Sequence, residues 1–236
     1  MLVFLPGLIC DARTFEAQAK AFPESLVVDS YGDVDSLTKM AQIALQQADS
    51  RGVEQIDVFG HSMGGRVALE VFRLAPKRVR RIALVSTGVH PLGKNEPAKR
   101  AALQQVGHDN GFEALVDQWL PPMVADANRA RADLYDPMRE MCLSAGQERF
   151  DAQIAALVGR SEVDSLLPQI SCPALVMTGE LDQWAPPEQH EGIADRLVDS
   201  RLVIIPGAGH MLPLEAPAEV NQAVADWLMM PADDEV

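Results

Sequence analysis

Positive charge is in short supply in this 236-residue chain: twenty lysines and arginines face thirty-four aspartates and glutamates, for a formal net charge of −14. Such an acidic surface repels a phosphate backbone and an anionic bilayer, which argues against nucleic acid or a membrane as a partner and favours solubility. Part of the excess reads as solvated surface, including the tail Asp233-Asp234-Glu235. Cysteine is scarce as well. Cys10, Cys142 and Cys172 are odd in number and lack metal-ligand spacing, so they argue against a disulfide framework or a metal cluster and fit reduced thiols in a cytoplasmic protein. No apolar run approaches the roughly 20 residues of a membrane-spanning helix. The apolar start Met1-Leu2-Val3-Phe4-Leu5 has no basic flank and is cut by Pro6-Gly7, so it reads as a buried strand rather than a secretory signal. There is no internal repeat, no low-complexity linker, no P-loop and no glycine-rich dinucleotide loop, and no cofactor is expected. Nothing in the sequence indicates an oligomeric state.

What is present is a chain with 47% hydrophobic and 23% charged residues, long enough for one domain with a large core and an inserted subdomain. Short β-rich apolar runs alternate with helical patterns, the signature of a parallel sheet covered on both faces. Strands are expected at Leu2–Leu5, Leu26–Ser30, Ile56–Phe59, Arg81–Ser86, Ala174–Thr178 and Leu202–Ile205. Helices are expected near Ser36–Ala48, Gly65–Leu74, Pro187–Leu197 and Pro217–Met229. From Gly88 to Ser171 the strand signal stops. Helical stretches at Gly111–Leu120, Ala125–Tyr135 and Phe150–Val158 are separated by prolines, including Pro97, Pro121-Pro122 and Pro137. The expected organisation is a core of residues 1–87 and 172–236 with a helical cap of residues 88–171.

The sharpest motif is Gly60-His61-Ser62-Met63-Gly64, set between an apolar strand and a helix. That context makes a nucleophile elbow, in which a tight turn projects the serine and flanking glycines remove colliding side chains. A serine hydroxyl needs a base, usually histidine, itself oriented by a carboxylate. His61 is adjacent to Ser62, so its side chain is expected to point away. His90, His108 and His190 read as loop or exposed histidines. His210 follows the last apolar strand in Gly207-Ala208-Gly209-His210, at the sheet edge where open α/β folds place their sites, and is the expected base. Gly179-Glu180-Leu181-Asp182 follows the preceding strand, with Asp182 favoured as the acid and Glu180 its competitor. Backbone N–H groups of Leu8 and Met63 are the expected oxyanion donors. Arg66 reads as a helix-surface arginine, although its place just past the elbow also suggests a carboxylate site.

With these positions the chain resembles the α/β-hydrolase superfamily over nearly its whole length, most of all its small capped esterases and lactonases. The matching residues are Gly60-His61-Ser62-Met63-Gly64-Gly65, Gly179-Glu180-Leu181-Asp182 and Gly207-Ala208-Gly209-His210; Pro6 and Phe15 stand where the family often has histidine and tryptophan. The resemblance implies a doubly wound, mainly parallel sheet of about six strands without the family's two amino-terminal ones. It implies a serine hydrolase with the triad Ser62, Asp182 and His210, acting on a small carboxylic ester, lactone or thioester. A pocket lined by Trp119, Met123, Met138, Trp184 and Met211 would suit a modest apolar substrate, and Met141 is a further methionine of the cap. Two alternatives remain open: other triad chemistry, namely C–C hydrolysis, perhydrolysis or elimination, and a non-catalytic ligand-binding protein of the same fold.

Overall fold

The computed structural model describes residues 1–232; the acidic tail at Asp233-Asp234-Glu235 lies outside the described residues. Six strands, β1 (Leu2–Leu5), β2 (Leu26–Val27), β3 (Ile56–His61), β4 (Val79–Val85), β5 (Ala174–Gly179) and β6 (Ser200–Ile205), form one sheet in the order β2-β1-β3-β4-β5-β6. Every pairing is parallel. The expected strands are therefore found, with one shortened. Chain continuing past Val27 in the same register would place Asp29 opposite Pro6, which has no N–H for the ladder.

Side chains along each strand alternate between two cores. Val3, Leu5, Val58, Ile82 and Leu84 pack on one face with residues of α2 (Leu37–Ser50) and α3 (Met63–Leu74). Phe4, Phe59, Ala83 and Val85 pack on the other with Val220, Val224 and Trp227 of α10 (Pro217–Leu228). Ser36 caps α2 through its hydroxyl, which accepts the Lys39 N–H. The remaining helices of the core are α1 (Glu16–Ala21), α8 (Pro187–Ala194) and α9 (Leu212–Glu215).

The interval between β4 and β5 contains no strand among the described residues; after a loop over residues 86–95 it holds the helices α4 (Glu96–Asn110), α5 (Phe112–Trp119), α6 (Asp126–Arg129) and α7 (Ala132–Val158), joined by short loops and 3-10 turns. Two prolines act differently from the expected breaks. Pro97 lies in the first turn of α4, where its missing N–H costs nothing, and so begins a helix absent from the sequence reading. Pro137 lies inside α7, whose real break is at Gly146, with φ of +79°. Because the sheet is parallel, the carboxyl ends of β1, β3, β5 and β6 open on one edge, and the segments that follow them meet there.

Candidate active site

Ser62 follows directly on β3 and caps α3 with φ of +56° and ψ of −117°, a conformation that strains any residue with a Cβ. The turn closes because its neighbours are small: a Cβ on Gly60 would strike the Gly64 carbonyl, and one on Gly64 would strike the Leu5 carbonyl. Ser62 N–H donates to the Val85 carbonyl at 2.8 Å, and the Thr87 hydroxyl donates to the Ser62 carbonyl at 2.7 Å, fixing the strained residue against β4.

Three segments converge here. His210 Nε2 lies 2.8 Å from Ser62 Oγ, and His210 Nδ1 lies 2.8 Å from Asp182 Oδ2. An ionised carboxylate only accepts, so Nδ1 carries the proton and Nε2 presents a lone pair to the serine hydroxyl. Asp182 Oδ1 also accepts the Trp184 and Ala185 N–H groups, each at 2.9 Å. Burial alone would raise the Asp182 pKa. The electrostatic attraction of the His210 imidazole, its hydrogen bond and the two amides outweigh burial and hold the carboxyl below the usual range. Glu180 does not approach His210; its Oε2 accepts the Gly207 N–H at 3.1 Å. Leu8 and Met63 line the same cavity as Ser62, and neither N–H donates to a protein acceptor among the described residues.

The other histidines separate cleanly. His61 is buried and donates from Nε2 to the His210 carbonyl at 2.7 Å, a backbone strut rather than a partner of the serine. His190 is also fully buried, against the expectation of an exposed side chain. Its Nε2 accepts the Thr87 N–H at 3.1 Å and its Nδ1 donates to the Pro186 carbonyl at 3.2 Å, which locks one neutral tautomer. Burial pushes both His61 and His190 down to about 4. His108 is exposed and sits 3.0 Å from Asp151, while His90 lines the cavity.

That cavity, of about 470 Å³, opens over Ser62 and His210. Trp119 and Met123 line it from the helical interval, and Trp184, 46% exposed, stands on its wall. Met138 and Met211 do not. Both are packed into the apolar core instead. Arg66 departs furthest from expectation. It is only 6% exposed and lines the cavity, because α3 packs on β3 and β4 and the guanidinium is covered by the segment after β4, where its Nη2 meets the His90 carbonyl. Arg160, Arg100, Lys99 and Glu96 join it, so one end of the pocket is charged rather than apolar.

Two residues outside the sequence reading hold the site in place. The Glu215 carboxylate of α9 accepts N–H groups from Gly209 and Met211, either side of His210, and from Ala125 in the helical interval, at 2.9–3.1 Å. Gln153 of α7 accepts the Ile9 N–H at 2.7 Å, pinning the loop that carries Leu8. Spacing alone does not announce either, since each works on backbone brought near by folding.

Comparison with known proteins agrees with this architecture. The chain is 28% identical to a thermophilic esterase from Thermogutta terrifontis solved with malate bound; the match covers 96% of this chain and 88% of that one, with a TM-score of 0.90. It is 24% identical to (E)-2-((N-methylformamido)methylene)succinate hydrolase from Acinetobacter baylyi, over 96% of this chain and 89% of that protein. It is 27% identical to the dihydrolipoyllysine-residue acetyltransferase component of an acetoin cleaving system from Pseudomonas putida, over 94% of this chain but 58% of that longer protein. The model of the alpha/beta hydrolase family matches residues 2–223. By fold and by sequence, the chain belongs to the alpha/beta hydrolase family.

Proposed function

We propose that the protein is a serine hydrolase of small carboxylic esters, lactones or thioesters. The observation that carries this reading is the unbroken relay from Asp182 through His210 to Ser62, with both hydrogen bonds at 2.8 Å and its serine end open to a cavity. In this reading Ser62 Oγ attacks the substrate carbonyl carbon while its proton passes to His210 Nε2. Asp182 stabilises the imidazolium, and the Leu8 and Met63 amides stabilise the oxyanion. Collapse of the tetrahedral intermediate expels the alkoxide or thiolate, which takes the proton from His210 and leaves an acyl group on Ser62. Water, losing a proton to His210, then attacks the acyl carbon; collapse releases the carboxylic acid and returns the proton to Ser62. Residues 88–171 act as the cap that shapes the pocket, over a core of 1–87 and 172–236. The names of the Thermogutta esterase and the Acinetobacter hydrolase support hydrolysis of a small molecule.

Ser62→Ala is expected to abolish turnover of short p-nitrophenyl esters and labelling by a fluorophosphonate probe. Unchanged turnover in that variant would reject the nucleophile. A well-folded wild type that neither labels nor turns over would favour a binding protein instead.

A further inference from the structure

The charged end of the cavity is not used by the chemistry at Ser62. Arg66 stands four residues after Ser62 on α3, about one helical turn or ~6 Å of rise away, and both line the same cavity. Its Nη2 donates to the His90 carbonyl at 2.9 Å, and no carboxylate pairs with it among the described residues. Glu96, the acidic residue of the cavity wall, is already occupied. Arg160 grips it through Nη1 and Nη2, each at 2.7 Å, and Arg100 through Nε and Nη2 at 2.9 and 2.8 Å. These two arginines overcome burial and draw Glu96 down to about 2, so it stays ionised and engaged. The Arg160 side chain is 2% exposed, and its Nε is buried without a partner among the described residues. With Lys99, four cationic side chains face one carboxylate in a molecule whose net charge is −14.

Burial first, and then the like charges of Arg160 and Arg100, push Arg66 down to about 9 against the pull of Glu96. The guanidinium is still protonated at neutral pH. A buried charge without a counterion is costly until an anion joins it, and the planar guanidinium fork matches a carboxylate in two hydrogen bonds.

We propose that Arg66, backed by Arg100 and Arg160, is a carboxylate-binding subsite, and that the substrate is a small ester or lactone bearing a free carboxylate a few atoms from its reactive carbonyl. This rests on the reading of Ser62 as a hydrolase nucleophile. The subsite joins core to insertion: Arg66 comes from the helix after the elbow, and Arg100 and Arg160 from the segment between β4 and β5.

The test compares monoethyl succinate with ethyl succinamate, which has the same shape and no charge. Wild type is expected to favour the anion by about tenfold to a hundredfold in kcat/KM. Arg66→Met should bring that ratio close to one, and Arg66→Lys should keep part of it. Because the ratio is taken within each protein, partial misfolding of a variant cancels. A wild-type ratio near one, or a ratio unchanged in Arg66→Met, overturns the subsite while leaving the hydrolase reading standing. If wild type hydrolyses neither ester, the hydrolase reading fails by itself, and calorimetric binding of succinate decides the subsite. Binding that weakens about tenfold in Arg66→Met supports it, and no binding by wild type overturns it.

Discussion

At the scale of single residues, the loop after β5 offers two carboxylates two positions apart, and geometry separates them. Glu180 folds back on Gly207, while Asp182 is buried against His210 and held by two backbone amides. Asparagine at 182 would turn an N–H toward Nδ1 or lose the acceptor there, favouring the wrong imidazole tautomer. Asp182→Asn is therefore expected to lower kcat on a p-nitrophenyl ester by about 10⁴ with the fold intact by circular dichroism. A loss below about tenfold would show that His210 needs no such orientation. Ser62, Asp182 and His210 were readable because each stands in a short glycine-bearing motif next to a strand. Arg66 was not. An arginine at a helical position looks solvent-bound until it is known which face of α3 lies beneath other elements.

At the scale of elements, the loop carrying His210 is clamped rather than merely connected. The Glu215 carboxylate binds backbone N–H groups on both sides of His210 and the N–H of Ala125, while the Met123 carbonyl accepts the His210 N–H at 2.8 Å. Removing the carboxylate strands buried donors. Glu215→Ala is expected to cost about 2–4 kcal/mol in urea unfolding and to depress kcat more than it raises KM. Loss of stability with kcat and KM unaltered would reduce Glu215 to a scaffold residue. Strand positions were legible here from apolar runs, since parallel strands buried on both faces are apolar along their whole length. Helix α4 was missed because Pro97 reads equally as a stop or as a first-turn residue. The span of α7 is not legible because Pro137 reads as a helix end, whereas the chain turns at Gly146.

At the scale of the whole molecule, two fully buried neutral histidines brace the site, His61 through the carbonyl of His210 and His190 of α8 through the N–H of Thr87, just after β4. Both have folded pKa values lowered from 6.5 to about 4, so between those values the unfolded chain binds more protons than the folded one. Stability is thus full above pH 6.5 and is lost as pH falls toward 4, by about 3 kcal/mol per histidine. Asp182, with its pKa lowered from 3.8, extends the loss at still lower pH. Urea unfolding across this window should show the decline, and a flat profile would mean that these histidines are accessible to protons. Among the described residues no helix is long and apolar enough to cross a membrane. The sequence alone determined the α/β alternation, the elbow and the candidate residues at three strand ends, because these depend on backbone dihedrals and apolar periodicity over a few residues. Only the tertiary structure decided that Ser62 and His210, 148 positions apart, share a hydrogen bond, and that Arg66 is a buried cation in the same cavity. Burial and the pairing of distant charges are set by which surfaces pack together, and no local pattern encodes that.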